Sequence, residues 1–331
     1  MTILTFFVPA FAVVSGTQLN LTMDSIGRWT MPISARLRSS GAEINGSVFL
    51  DIDGLVDFDF DPDQSDVPVS VDIADSFILD DPSLHGRTFT LSGNFSIPNV
   101  SDPGLWNTMH ASLDVGYQSA FARGLQQIII TPTGNGQSGL FLLDPSSPDQ
   151  YAYEGQWFHV NCFRENFTDI EASVVVGNYP ASAPAEFSFD MLDHITTVPL
   201  EAFQQIVGDL ERAGFRTIDD PSDGRSTRFQ VVANGGLLTI GIAGSSTAEL
   251  AQILPPIHFE MVSGIQRFQI TAYPEDYIRE YANGHALTIT TDSERGRNNI
   301  GTIGTNVLRR LALQVDYANR RIGFAEPVDE I

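Results

Sequence analysis

The chain has 331 residues, of which 42% are hydrophobic and 18% charged; this composition is typical of a globular protein and argues against a disordered one. Its formal net charge of −23 argues against nucleic acid and anionic membranes as partners, because both would repel it. All eighteen basic residues are arginine, so a mechanism that needs a lysine nucleophile or Schiff base is excluded.

The N-terminal segment is apolar over residues 3–14, which is too short to span a bilayer. This length fits the hydrophobic region of a signal peptide, and we predict that residues 1–16 form one, although no basic residue precedes the segment. The alternative is a buried N-terminal strand. Export to the extracellular space or to an acidic vacuolar compartment agrees with five predicted N-glycosylation sites. These sites are Asn20, Asn45, Asn94, Asn99 and Asn166.

The first half of the chain, from about residue 17 to 153, consists of short alternating runs separated by Pro, Gly, Asp and Ser. Such runs predict β-strands, and we expect them at 29–34 and 46–51. One hairpin is predicted at 89–97, with Ser92 and Gly93 in its turn. Another joins 126–131 to 140–143. The first half is therefore predicted to be all-β.

One amphipathic helix is predicted after Pro199, which suits a first helical position. The apolar residues that follow recur at helical spacing, and Gly214 is a typical residue just beyond a helix C-terminus. Before the helix, Phe187 and Phe189 alternate with a serine, as in a strand. Later strands are expected at 157–160, 172–176, 228–232, 237–242, 257–261, 266–271, 311–315 and 321–324.

The single cysteine, Cys162, excludes a disulfide within the chain and a cysteine-based zinc site. The six histidines form no HExxH pair, and His194 is interpreted as a turn residue beside Asp193. The alternating Asp57, Asp59, Asp61 and Asp63 lack the glycine and closing glutamate of an EF-hand, so a solvated acidic loop is favoured over Ca²⁺ binding. We expect no metal and no cofactor.

The segment that contains Asp190 resembles the second catalytic loop of pepsin-like aspartic peptidases. In that family the catalytic aspartate begins an Asp-Thr/Ser-Gly turn, and a threonine-rich run, a proline and a helix follow it. Counting back from Pro199 places Asp190 at the catalytic position. Met191 and Leu192 then stand where the family has a hydroxyl residue and a glycine.

Other segments extend the resemblance over most of the chain. The closing segment 303–325 is similar to the family's Gly-Asp turn, short helix and Asn-Arg-Ile-Gly-Phe-Ala hairpin, and 254–277 is similar to its Leu-Pro…Tyr run. In the first half, 48–54 falls where the first catalytic loop belongs, which puts Asp51 at the aspartate. Asp114 replaces a glycine of the family's Leu-Gly-Leu-Gly-Tyr run. The flap tyrosine would fall near Val71 or Asp72, and neither is tyrosine.

The resemblance implies an all-β, bilobal, pepsin-like acid-protease fold with few short helices. The N-terminal lobe would be 17–155 and the C-terminal lobe 156–331, with a cleft between them. Asp51 and Asp190 would form the catalytic dyad, one activating water and the other protonating the carbonyl oxygen. Both loops are altered. Ile52 and Met191 cannot make the crossed hydrogen bonds of hydroxyl residues, and Asp53 and Leu192 replace the glycines.

These alterations favour a secreted, monomeric peptidase homologue that has lost proteolysis. It would bind a polypeptide or a glycan in the cleft between lobes, or act as an inhibitor or structural scaffold. The alternative is an active acid endopeptidase that uses Asp51 and Asp190. A third hypothesis is a secreted Ca²⁺-dependent binding protein.

Overall fold

The computed structural model describes residues 17–24, 27–52, 58–59, 71–80, 88–98, 112–116, 124–133, 137–161, 170–217, 228–234, 237–281, 284–292 and 300–328. Within these residues the protein is mostly β-strand with four α-helices, so the predicted all-β class with few helices is confirmed. The predicted signal peptide, Asn99, Asn166, Cys162 and Asp53 lie outside the described residues.

The first twelve strands are β1 (Thr17–Met23), β2 (Trp29–Leu37), β3 (Glu43–Asp51), β4 (Phe58–Asp59), β5 (Val71–Asp80), β6 (Thr88–Pro98), β7 (Ser112–Asp114), β8 (Gln127–Thr133), β9 (Ser138–Leu143), β10 (Phe158–Asn161), β11 (Ile170–Val176) and β12 (Ala185–Asp190). Those that follow are β13 (Thr196–Thr197), β14 (Arg216–Thr217), β15 (Arg228–Asn234), β16 (Leu237–Ala243), β17 (Ile257–Ser263), β18 (Gln266–Ala272), β19 (Ile278–Tyr281), β20 (Gly284–Asp292), β21 (Ile300–Gly304), β22 (Ala312–Asp316) and β23 (Arg321–Ala325). The helices are α1 (Leu200–Arg212), α2 (Thr247–Ile253), α3 (Pro274–Tyr277) and α4 (Thr305–Leu308).

The strands form two mixed sheets. The first has the order β10-β23-β22-β8-β9-β1-β2-β3-β7-β4, with the β5–β6 hairpin attached to β2. The second has the order β14-β15-β16-β20-β13-β21-β12-β11-β17-β18, with β19 attached to β20. The chain therefore crosses to the second sheet between β10 and β11 and returns to the first for β22 and β23. The predicted lobe boundary between residues 155 and 156 stays a prediction.

One hydrophobic cluster contains buried residues of both sheets. The rings of Phe189 on β12 and Phe324 on β23 lie 4.7 Å apart, and those of Phe158 on β10 and Phe268 on β18 stack at 5.4 Å. Thr305, at the start of α4, donates its hydroxyl to the carbonyl oxygen of Gly27 at 2.6 Å. The two sheets are therefore joined by aromatic packing and by a buried hydrogen bond.

The predicted helix is confirmed as α1. Its buried face is formed by Phe203, Ile206 and Leu210, together with an alanine, as the apolar spacing predicts. Pro199 takes the N-cap position, one residue earlier than expected, with extended backbone angles. Gly214 adopts φ +90° just beyond the C-terminus, a conformation that glycine reaches without a Cβ clash.

The predicted hairpin at 89–97 is wrong, because β6 runs through this segment as one strand. Ser92 pairs with Ser76 of β5, and the register shifts between Ala74 and Ser76, so Gly93 lies at a bulge and not in a turn. Val71 and Asp72, where the family's flap would fall, pair with Pro98 and Ile97 at the end of β6, and the flap stays a prediction. The hairpin predicted at 126–143 is confirmed by β8 and β9.

Candidate site at the two aspartate strands

The two aspartates occupy equivalent places in the two sheets. Asp51 ends β3, which lies between the antiparallel β2 and the parallel β7, and it pairs in register with Asp114. Asp190 ends β12, which lies between the antiparallel β11 and the parallel β21, and it pairs with Gly304. The next strand along the chain after each aspartate, β4 or β13, has two residues and pairs antiparallel with that same parallel strand. The same four-strand motif therefore occurs once in each sheet.

The carboxylate of Asp190 is held by backbone amides of its own loop. Its Oδ1 accepts hydrogen bonds from the N–H groups of Leu192 and Asp193, each at 2.8 Å. Asp190 is half-buried. Leu192 stands where the resemblance places a glycine, and its side chain does not prevent its backbone N–H from donating to the carboxylate.

Asp51 is more deeply buried, with 7% of its surface exposed. Its Oδ1 accepts the N–H of Ile52 at 2.7 Å, and its carbonyl oxygen accepts the N–H of Val115 at 2.8 Å. Asp114, its neighbour on β7, is also buried, and its Oδ1 accepts the N–H of Gly116 at 2.7 Å. Sequence analysis identified Asp114 only as a replaced glycine. The parallel pairing makes it a lateral neighbour of Asp51.

The residues that follow the two aspartates are apolar and buried. Ile52 and Met191 are each 1% exposed and belong to the same hydrophobic cluster. Neither side chain can donate or accept a strong hydrogen bond. Leu192, the next residue after Met191, is half-buried. At positions 52 and 191 apolar packing therefore replaces the hydroxyl groups that the predicted family has there.

The backbone after each aspartate passes close to a glycine at or just beyond the end of the neighbouring parallel strand, Gly304 in β21 and Gly116 after β7. A Cβ on Gly304 would overlap the carbonyl oxygen of Ile195 and lie 2.7 Å from that of Asp193. A Cβ on Gly116 would overlap the carbonyl oxygen of Ile52 in the same way. A methyl group does not fit at either position without a backbone shift, so both glycines are required by close packing.

A buried polar network supports the second loop. Thr196 donates its hydroxyl to Oδ1 of Asn306 at 2.7 Å and accepts the N–H of Gly304 at 3.0 Å. Asn306 in turn donates its Nδ2 to the hydroxyl of Thr288 at 3.0 Å. These side chains hold the loop after Asp190 against β20 and β21. Sequence analysis did not find them, because they are far apart in the chain.

Asp193 and His194 form the outer part of this loop. Burial raises the pKa of Asp193, and the nearby negative charge of Asp190 raises it further. The hydrogen bond that the N–H of Ile195 donates to Asp193 at 2.9 Å lowers this pKa in part. Burial lowers the pKa of His194, with a further contribution from Arg279. Nδ1 of His194 lies 3.8 Å from Oδ1 of Asp193. A cavity of about 130 Å³ adjoins His194 and Arg279.

The other predicted sites are described only in part. The side chains of Asn20 and Asn45 are exposed, as glycosylation requires, and Asn94 lies on β6. Of the four alternating aspartates only Asp59 is described, on β4. Within the described ranges no three His, Cys, Asp or Glu side chains are grouped as a metal site would need. The same ranges contain no helix that is long and apolar enough to cross a membrane.

A scan against models of known protein families finds no match, and a search of curated proteins finds none either. The resemblance to pepsin-like aspartic peptidases therefore stays a prediction.

Proposed function

We propose that this chain is a divergent homologue of the pepsin-like aspartic peptidases that binds a polypeptide or a glycan between two lobes and does not hydrolyse peptide bonds. The repeated four-strand motif supports the family assignment. A dyad shared between lobes needs two loops of the same construction, each presenting one carboxylate, and Asp51 and Asp190 occupy equivalent positions in such loops.

The observation that carries the loss of hydrolysis is the burial of Ile52 and Met191. Peptide hydrolysis by two aspartates needs carboxylates that lie within hydrogen-bonding distance and share one proton. Crossed hydrogen bonds from hydroxyl residues at these two positions would fix that geometry. The apolar side chains cannot form them, so the preorganisation on which such a site depends is reduced.

A second candidate function is a residual acid endopeptidase activity. One feature favours it: the carboxylate of Asp190 still accepts two backbone N–H groups, including that of Leu192. A carboxylate held in this way keeps a defined orientation. If apolar packing alone brought the carboxylate of Asp51 to that of Asp190, peptide hydrolysis by the two aspartates would remain available.

Cleavage of an unfolded protein substrate at about pH 3–5 tests both functions, since a shared-proton dyad works in acid. The full-length protein and its Asp190→Asn variant are incubated with the substrate, and new amino termini are counted with and without a transition-state-analogue inhibitor of aspartic peptidases. We expect the full-length protein and the Asp190→Asn variant to release the same background number of new amino termini. Cleavage that both the inhibitor and the variant abolish would show that the protein is a peptidase.

A gain-of-function variant makes the negative result informative. Changing Ile52→Thr, Asp53→Gly, Met191→Thr and Leu192→Gly together rebuilds both motifs. If cleavage appears in the folded variant and not in the wild-type protein, these side chains are the reason for inactivity. Binding is measured in parallel as a rise in melting temperature with an unfolded polypeptide or an oligosaccharide, because ligands that bind only the folded state stabilise it. No rise with either would contradict the binding function.

A further inference from the structure

A pocket of about 610 Å³ lies where the two sheets meet, and it shares no lining residue with either aspartate loop. Its walls are the segment 153–158 before and at the start of β10, residues 266–268 of β18, and Glu326 just after β23. β10 and β23 belong to the first sheet and β18 to the second. The volume is within the range of about 300–1,000 Å³ that is usual for small-molecule sites.

Main-chain contacts hold these walls in place. Ala152 forms a β-bridge with Pro327, and the N–H of Tyr153 donates to the carbonyl oxygen of Glu326 at 2.8 Å. Across the sheet junction, Phe158 stacks on Phe268 with ring planes 14° apart. The pocket is therefore formed by ordered elements on both sides, which lowers the entropic cost of binding a ligand there.

A strained residue lies in the wall. Glu154 has φ 54° and ψ 18°, the left-handed conformation that glycine adopts at much lower cost, and Gly155 follows it with φ +69°. For a residue with a Cβ this conformation costs roughly 1–2 kcal/mol. Strained backbone of this kind clusters at active sites, ligand clamps and switch regions. Glu154 is one of the residues that line the pocket.

The charged groups of the pocket oppose an anionic occupant. Glu154 and Glu326 would repel an anion, as would the protein's net charge of −23, and Arg267 offsets only one of the two carboxylates. Gln156 and Gln266 add amide groups that donate and accept. Hydrogen-bond donors and acceptors thus occur together, as the recognition of hydroxyl groups requires.

Aromatic side chains supply the apolar part of the surface. Tyr153 is 54% exposed and lines the pocket together with Trp157. Trp157 is 8% exposed, and its buried indole N–H has no acceptor within the described part of the chain.

We propose that this pocket binds a neutral oligosaccharide. A sugar ring has apolar C–H faces that pack on aromatic rings and hydroxyl groups at its edge that both donate and accept. It carries no charge, so neither Glu154 nor Arg267 opposes it. This site is distinct from the site proposed at the two aspartates and does not depend on it.

Calorimetric titration of the full-length protein with neutral tetrasaccharides of glucose, xylose, mannose and N-acetylglucosamine tests the proposal. We expect at least one to bind with a dissociation constant below about 10 mM. Tyr153→Ala should weaken this binding by at least about tenfold. Tyr281→Ala is the matched control, because Tyr281 is 53% exposed and lies outside this pocket, and it should leave the affinity unchanged. Both tyrosines are exposed, so neither variant should unfold.

Two further measurements distinguish sugar binding in this pocket from binding at the aspartates and from ionic binding. Asp190→Asn should not change the affinity, and a loss in that variant would place the sugar at the aspartates. Added salt should leave the affinity unchanged, because a neutral ligand has no ionic contact to screen. Failure of all four sugars to bind the folded protein at about 10 mM would overturn the proposal. An equal loss of sugar affinity in Tyr153→Ala and Tyr281→Ala would also overturn the proposal. Salt-sensitive binding of a charged peptide in place of a sugar would do the same.

Discussion

The backbone N–H of Leu192 donates to Oδ1 of Asp190 at 2.8 Å, although the residue at this position is not a glycine. A second N–H, from Asp193, reaches the same oxygen atom at the same distance. The loop after Asp190 is thus organised around one carboxylate oxygen. This arrangement makes the aspartate structurally important whether or not it takes part in catalysis.

Asp190→Ala should therefore destabilise the protein by about 1–3 kcal/mol, since it leaves two partly buried N–H groups without their acceptor. Asp190→Asn keeps an oxygen acceptor at the same position and should cost clearly less. Urea unfolding of the two variants at neutral pH measures the difference. Equal losses for alanine and asparagine would mean that the carboxylate's charge, and not its acceptor oxygen, stabilises the loop.

Met191→Thr should reduce the free energy of unfolding by about 1–3 kcal/mol, because a hydroxyl group would enter a buried apolar site. Met191→Leu, which conserves volume, should cost less than about 1.5 kcal/mol. Denaturant titration of both variants tests whether position 191 has become part of the core. A threonine variant as stable as the wild-type protein would indicate that a polar partner is already in place there.

The stability of the protein should depend on pH through Asp193. The raised pKa of its carboxyl group means that the folded state binds this proton more tightly than the unfolded state does. The free energy of unfolding therefore falls as the pH rises from about 4 through the raised pKa, and it stays lower above that pKa.

Asp193→Asn removes this charge and can still accept the N–H of Ile195. We expect the variant to be more stable than the wild-type protein at pH 7, by less than about 1 kcal/mol because the carboxylate is partly solvated. The gain should disappear below about pH 4, where Asp193 is protonated. Melting temperatures of both proteins across this range test the sign, and a gain that persists in acid would contradict the electrostatic cause.

Gly304→Ala should destabilise the protein by more than about 2 kcal/mol, because the added methyl group overlaps the carbonyl oxygen atoms of Ile195 and Asp193. Gly241→Ala is the matched control on β16. A Cβ at that position meets no atom within 4 Å, so this variant should be neutral or more stable by about 0.4–1 kcal/mol. Thermal unfolding of both variants shows whether close packing at the aspartate loop, and not the loss of glycine as such, causes the effect.

The parts of the fold that sequence analysis predicted correctly have local patterns. Helix α1 has its apolar residues at helical spacing and Gly214 directly after it, and β8 and β9 are alternating runs joined by a short turn. The hairpin predicted around Gly93 failed for a non-local reason. β6 pairs along its whole length with β5, so the glycine is used for a bulge and not for a turn.

The sequence by itself determined the all-β class, the helix after Pro199 and the two aspartates at strand ends, since hydrophobic periodicity and turn residues act over a few positions. Only the tertiary structure decided that Asp114 lies beside Asp51 and that Gly304 lies beside Asp190. These parallel pairings join residues more than sixty positions apart, and no local pattern encodes the register of such a contact. Long-range strand pairing also returns β22 and β23 to the first sheet. It likewise forms the pocket where the two sheets meet.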